Sequence, residues 1–175
     1  MTASTVKSAS VTNFDAVPVA LSKSPKQGGK IRQYIETYEV TAATSTNEAG
    51  DIIKMIRVPS RLVPSKLVIF NDDLDTHSTP TLAVDVGLYR ADTGVVIDAD
   101  EFASAITTLQ AANTAGVNVL CEAHDIADIG KTLWEIAGYS ADPGISFDVA
   151  LTVTTEAATG ANGTITMVME GALAN

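Results

Sequence analysis

Hydrophobic and polar residues alternate along most of the chain after residue 30, which predicts a succession of β-strands. The segment TLAVDVGLY is the clearest case, because Leu82, Val84, Val86 and Leu88 occupy every second position. Successive side chains of a strand point to opposite faces, so this spacing predicts one buried face. The same period predicts further strands in RQYIETYEV, IIKMIRV, KLVIF, ISFDVALTVTTE and TITMVME.

The last two of these segments flank ATGANG, a sequence typical of turns, and are therefore predicted to form a β-hairpin. Alternation along both segments predicts which side chains face the core. They are Phe147, Val149, Leu151, Val153, Ile165, Met167 and Met169.

A helix is predicted between the strands, beginning near residue 98. Asp98 followed three residues later by Glu101 resembles a capping box. The helical spacing of apolar residues then continues through Phe102, Ala105, Ile106 and Leu109.

A second, shorter helix is predicted between Gly130 and Gly138, which are suitable flanking residues. It contains Leu133, Trp134 and Ile136. Because apolar residues surround Trp134, its indole is predicted to anchor the core rather than to stack on a ligand.

Short strands, seven or eight in number with turn residues between them, predict an all-β fold. We expect an antiparallel β-sandwich with one or two short helices, and a jelly roll is the first choice among sandwiches. Residues 30–175 are predicted to form this domain. Residues 1–29 are rich in Ser, Thr, Gly and Pro and are predicted to form an extended N-terminal arm.

Charge is distributed unevenly between the arm and the domain. The chain has 11 Lys and Arg against 21 Asp and Glu, a formal net charge of −10. An acidic domain repels phosphates and anionic lipids, so neither nucleic acid nor a membrane is a predicted partner. The arm, in contrast, is basic and is predicted to contact an acidic protein surface. Its candidate contact residues are Lys7, Lys23, Lys26 and Lys30.

No catalytic site is predicted, because the sequence patterns of common hydrolases, zinc enzymes and nucleotide-binding loops are missing. His77 and His124 are far apart in the chain. Cys121 has Glu122 and His124 nearby, but an acidic neighbour disfavours a reactive thiolate, so Cys121 is predicted to be a small buried strand residue. We therefore expect neither an enzyme nor a bound cofactor.

The stretch NDDLDTH, residues 71–77, contains the densest group of potential metal ligands. An EF-hand calcium loop needs a Gly and a bidentate Glu that this stretch lacks, and zinc needs more His or Cys. Asp and Asn commonly cap backbone N–H groups in turns between strands. The stretch is therefore predicted to be a solvated connector without a metal ion.

The N-terminal sequence MTASTVKSASVTNF lacks the continuous apolar segment of a signal peptide. No segment approaches the roughly 20 apolar residues of a membrane-spanning helix. The single cysteine cannot form an intrachain disulfide. These features predict that the chain folds in the cytoplasm.

The stretches GDIIKMIRVPSRLVPSKLVIFNDDLDT, TLAVDVGLY and IADIGKTLWEIAGYSADPG together cover most of residues 50–144. In them the chain resembles the capsid decoration, or cement, proteins of tailed bacteriophages. The resemblance implies a sandwich domain on the outer surface of a capsid, made in a bacterial host and bound to the major capsid protein. It also implies a homo-oligomer, most commonly a trimer. It supplies no catalytic or ligand residues and does not include the arm.

A second class of function shares the expected fold, namely a receptor- or carbohydrate-binding module of a phage tail or fibre. An exposed aromatic cluster that includes Trp134, Tyr139 or Tyr89 favours this alternative. A buried pair of carboxylates in a cleft favours an enzyme. The sequence leaves these alternatives open.

Overall fold

The computed structural model describes residues 7–19, 30–42 and 48–174, and within these ranges eight strands form two sheets. The strands are β1 (Ile31–Val40), β2 (Ile52–Pro59), β3 (Leu62–Asn71), β4 (Ala83–Arg90), β5 (Val96–Ile106), β6 (Asn113–Asn118), β7 (Ser146–Thr155) and β8 (Gly163–Leu173). The helical elements are α1 (Ala9–Phe14), a 3-10 turn (Thr108–Gln110) and α2 (Leu133–Ile136). No helix of these ranges has the length and apolar character needed to cross a membrane.

Strand order identifies the sandwich as a jelly roll. The first sheet has the order β1-β8-β3-β6 and the second has the order β2-β7-β4-β5. All paired strands are antiparallel. The chain changes sheet at every connection between successive strands except β4–β5, which is the arrangement expected for paired Greek keys. The prediction of an all-β sandwich is confirmed.

The core lies between the two sheets and is formed by the residues that alternation selects. Leu82, Val84, Val86 and Leu88 are all buried, as predicted for the segment around β4. The predicted core residues of β7 and β8 are buried as well: Phe147, Val149, Leu151, Val153, Ile165, Met167 and Met169. Each sheet therefore contributes its period-two apolar face to one continuous core.

The predicted hairpin of the last two strands is wrong. β7 lies between β2 and β4 in the second sheet, whereas β8 lies between β1 and β3 in the first. The intervening residues 156–162 therefore cross from one sheet to the other. Two amphipathic strands joined by a short polar segment can form a hairpin in one sheet or belong to opposite sheets. Their sequence does not distinguish the two cases, because the same alternate residues face the core in both.

The helix predicted from residue 98 is also wrong, because this segment is β5. Its pairing with β4 shifts register, so that Val86 is opposite Ala103 while Leu88 is opposite Asp98. The extra residues of β5 form a bulge, which interrupts the period of two. As a result Phe102 is buried together with Ile106 and Leu109, and their spacing imitates that of a helix.

The shorter helix is present as α2, flanked by Gly130 and Gly138 with φ of +85° and +78°. Its buried anchor is Leu133, whereas Trp134 is half-buried and packs against the core without being enclosed. A capping box that the sequence analysis missed begins the helix. The side chain of Glu135 accepts hydrogen bonds from Thr132 N–H at 2.8 Å and Thr132 Oγ1 at 2.7 Å.

The described part of the predicted arm is not fully extended, because it contains the helix α1. Ser8 precedes this helix, and its Oγ accepts a hydrogen bond from Val11 N–H at 3.3 Å. Residues 1–6 and 20–29 of the predicted arm lie outside the described residues. The sandwich begins with β1 at Ile31.

Candidate functional site

The predicted contact lysines of the arm are only partly described. Lys7 is exposed, and its Nζ lies 2.5 Å from Asp15 Oδ2, so it pairs within the arm itself. Lys30 is exposed and directly precedes β1. Lys23 and Lys26 lie outside the described residues. The arm lysines therefore remain a prediction.

The NDDLDTH stretch is built around Asp75, which is buried rather than solvated as predicted. Its carboxylate accepts hydrogen bonds at 2.7–3.4 Å from the backbone N–H groups of His77, Thr81, Leu82, Ala158 and Thr159. Burial alone raises the pKa of Asp75, but these backbone donors outweigh burial and hold it well below its usual range. Asp75 thus acts as a turn cap, and its solvated placement in the prediction is wrong.

Asp75 joins the two crossovers at one end of the sandwich. Thr81 and Leu82 belong to the connection from β3 to β4, and Ala158 and Thr159 belong to the connection from β7 to β8. An isolated bridge between Asp75 and Gly160 reinforces this junction. One carboxylate therefore fixes the position of two segments that change sheet.

Carboxylates from the β5 bulge and the β6–β7 connection line an open acidic pocket: Asp98, Asp100, Glu101, Asp125 and Asp128. Burial and the neighbouring Asp100 raise the pKa of Asp98. In residues 7–19, 30–42 and 48–174 no group of three or more His, Cys, Asp and Glu side chains is arranged to hold a metal ion. The pocket gives this part of the surface a negative potential.

A hydrogen-bonded pair of side chains, His124 and Glu101, lies at this pocket. His124 Nδ1 is 2.6 Å from Glu101 Oε1, and the imidazole is almost fully enclosed beside Phe102. Burial raises the pKa of Glu101, although His124 acts in the opposite direction. Because the ring of His124 is engaged by Glu101, we assign the pair a structural role.

Cys121 lies in a turn and is exposed, so its predicted burial in a strand is wrong.

A cluster of ion pairs, which the sequence analysis missed, lies on the outer face of the second sheet. Asp148 on β7 is buried and accepts two hydrogen bonds from the Arg57 guanidinium, at 2.7 and 3.1 Å. Lys54 Nζ lies 3.3 Å from the same carboxylate. Hydrogen bonding to Arg57 lowers the pKa of Asp148. Glu36 of β1 lines the same pocket as these three residues.

The aromatic residues named for a carbohydrate-binding module are not fully exposed: Trp134 and Tyr139 are half-buried and Tyr89 is buried. Tyr89 is buried, and its hydroxyl lies 2.6 Å from Thr152 Oγ1. Tyr139 is half-buried against Phe147, and its hydroxyl accepts a hydrogen bond from Arg90 at 3.2 Å. These two rings therefore support the sandwich and are not presented to solvent as a stacking platform.

The outer face of the first sheet carries an apolar row that crosses three strands. Ile35 of β1 is opposite Val168 of β8, which in turn is opposite Val68 of β3. The next row along the strands consists of Thr37, Thr166 and Phe70. Ile35 is 57% exposed, so the row is open at its β1 end.

Comparisons with known proteins identify the fold but no sequence family. No protein-family model matches the chain, and no curated protein matches it. Among solved structures, it is similar to a chain of the "Cyanophage Pam1 capsid asymmetric unit", with 21% identity and a TM-score of 0.60 over 91% of this chain and 96% of that chain. It is also similar to a chain of the "Capsid of Ralstonia phage GP4", with 22% identity and a TM-score of 0.59 over 90% and 93%. The chain therefore shares its fold, over nearly its whole length, with chains of two phage capsids.

Proposed function

We propose that this chain is a structural protein of a bacteriophage virion that decorates the outer surface of the capsid. In this proposal it binds the major capsid protein and stabilises the shell. The observation that carries the proposal is the shared fold, which extends over nine-tenths of this chain and nearly all of the matched chains from two phage capsids. The sequence resemblance to decoration proteins supports the finer part of the proposal, namely decoration of the outer surface.

The surface of the domain agrees with a binding rather than a catalytic role. The buried carboxylates of Asp75 and Asp148 are held in structural hydrogen bonds and are not presented to a substrate. The aromatic platform that would favour a carbohydrate-binding tail module is not formed by Tyr89 and Tyr139. We therefore place the decoration role ahead of the tail-module alternative.

The proposal includes a homo-oligomer, a trimer on a symmetry axis of the coat lattice. Symmetric copies bound to a repeating shell add their contacts, so a modest affinity at each site is sufficient for stable decoration. The arm lysines Lys7, Lys23, Lys26 and Lys30 are proposed to contact an acidic coat surface, while the acidic domain stays in solvent.

Replacing these four lysines by Gln in the full chain is expected to weaken binding to capsids that lack the protein by at least about tenfold, because each exposed charge contributes a few tenths of a kcal/mol or more to association. Co-sedimentation with such capsids at several salt concentrations measures the change. The parent chain should lose affinity as salt rises, whereas the lysine variant should respond less.

Replacing Lys66 and Lys131 by Gln, which removes two positive charges from the domain instead of four from the arm, is the control, and it should leave capsid binding within about twofold of the parent. Equal binding by the four-lysine variant and the parent would show that the arm is not the attachment element. Failure of the parent to bind any capsid would contradict the decoration role itself.

A further inference from the structure

Each sheet has two edge strands, and β1 differs from the other three in the regularity of its pairing. Within the described ranges, β2, β5 and β6 each show a register shift against their one neighbour. β1 instead pairs with β8 over 10 residues without a shift. Bulges distort an edge and hinder the addition of another strand, so three edges are protected in a way that β1 is not.

The backbone of β1 has groups directed toward this open edge. The carbonyl of Lys30 accepts a hydrogen bond from Leu173 N–H at 3.3 Å, so even-numbered positions direct their backbone groups toward β8. In an antiparallel strand the intervening positions direct theirs to the other side. In agreement with this, Thr37 N–H donates to Glu36 Oε1 at 3.1 Å rather than to β8. An added strand pairs with such a row of donors and acceptors.

The charges on β1 are complementary to those of a second, antiparallel copy of the same strand. Arg32 lies in its first half and Glu36 in its second half, and both are exposed on the same face. An antiparallel arrangement brings the positive half of one strand opposite the negative half of the other. A two-fold axis perpendicular to the sheet at Tyr34 places each Arg32 opposite a Glu36, and such cross-strand pairs are stabilising.

We propose that β1 is a self-association edge, at which two copies of this chain pair antiparallel about a two-fold axis at Tyr34. Residues 31–37 of the two strands overlap and form about eight backbone hydrogen bonds, which join the two first sheets into one. Thr37 N–H exchanges its bond with Glu36 for a bond to the partner subunit's Ile31. The released Glu36 carboxylate then meets the partner subunit's Arg32.

The open edge also explains two exposed apolar side chains. Ile31 and Ile35 are 73% and 57% exposed on the outer face of β1. In the proposed register Ile31 lies beside the partner subunit's Thr37, and Ile35 lies beside the partner subunit's Gln33, so both lose exposure on pairing. The contact does not depend on capsid binding, and in a protein that is otherwise trimeric it joins one trimer to the next.

Charge reversal tests this register in the full chain, without any capsid. Arg32→Glu places two carboxylates opposite each other, and Glu36→Arg places two guanidinium groups opposite each other. Either variant alone is expected to have at most half the molar mass of the parent in light scattering after size exclusion, at a concentration where the parent pairs. An equimolar mixture of the two variants restores opposite charges at both positions and should recover the parent's mass. The double variant R32E/E36R should recover it as well.

Glu39→Lys is the control. Glu39 lies on β1 outside the proposed overlap, and this substitution changes the net charge by the same amount as Glu36→Arg. It should keep the parent's mass. Circular dichroism melting verifies that every variant is folded. The proposal is overturned if both single variants, while folded, keep the parent's mass, or if neither the mixture nor the double variant recovers it. A parent that does not exceed the mass of the single variants at any accessible concentration also overturns it, whatever the capsid-binding result.

Discussion

Replacing Asp75 by Asn is expected to lower the free energy of unfolding by about 3–5 kcal/mol, because a buried, charged hydrogen-bond acceptor is lost and several backbone donors are left without a partner. The amide of Asn has one acceptor oxygen, and its NH₂ group faces backbone N–H groups that need an acceptor. Urea unfolding at pH 7 measures the difference. Asp73→Asn is the matched control, since Asp73 accepts one hydrogen bond, from Asp75 N–H at 3.1 Å, and should cost about 1 kcal/mol or less.

The lowered pKa of Asp75 predicts that the free energy of unfolding depends on pH. The pKa of Asp75 is lower in the folded state than in the unfolded chain, where it is about 4. Its contribution is therefore fully present above about pH 5 and decreases as the pH falls through 4 and below. The parent should lose stability over this range more steeply than Asp75→Asn. An Asn variant within about 0.5 kcal/mol of the parent at pH 7 would show that Asp75 does not hold the crossovers together.

Gly87→Ala is expected to lower the free energy of unfolding by about 3 kcal/mol or more, because it introduces an atom where the backbone of β5 already lies. A Cβ at residue 87 would be 2.1 Å from the carbonyl oxygen of Asp98 and 2.3 Å from the carbonyl carbon of Ala99. Both are backbone atoms, so the β5 bulge must move away from β4. Hydrogen exchange of the β5 amides should increase together with the loss of stability.

Gly144→Ala is the matched control for this second prediction. Gly144 has φ of +66° and no atom within 4 Å of the position of a Cβ. Its substitution should therefore cost only about 1 kcal/mol, from the backbone conformation. If the two substitutions destabilise the protein equally, close packing of β5 over Gly87 is not important for stability.

A strand could be predicted from the sequence where the residues that it buries in the core occupy every second position. In β8 the buried residues occupy every second position, and in β4 alternation identified Val84, Val86 and Leu88 in the core, although Ala83 and Tyr89 on the opposite face are buried as well. The bulge in β5 broke this relation. It buried Phe102 and Ala103 in succession and exposed Ala105 at a φ of +48°, and no local pattern distinguishes such spacing from a helical turn.

Features that depend on residues distant in sequence could not be predicted. The role of Asp75 depends on amides at positions 158 and 159, more than 80 residues away, and nothing near NDDLDTH indicates them. The Asp148 pair with Arg57 joins strands 91 residues apart. The opposite charges within β1, in contrast, are visible in RQYIETYEV, but their significance requires knowing that β1 is an unbulged edge.

Electron microscopy of phage particles with and without this protein tests the central proposal most directly. We expect the complete particle to show a jelly-roll density for each copy on the outer surface of the capsid, in contact with the major capsid protein, and particles from a gene deletion to lack it. Such particles should also lose their DNA at a lower temperature, because the decoration contacts are missing. Density of this domain at the tail or fibre, with an unchanged capsid surface after deletion, would contradict the decoration role and favour the tail module.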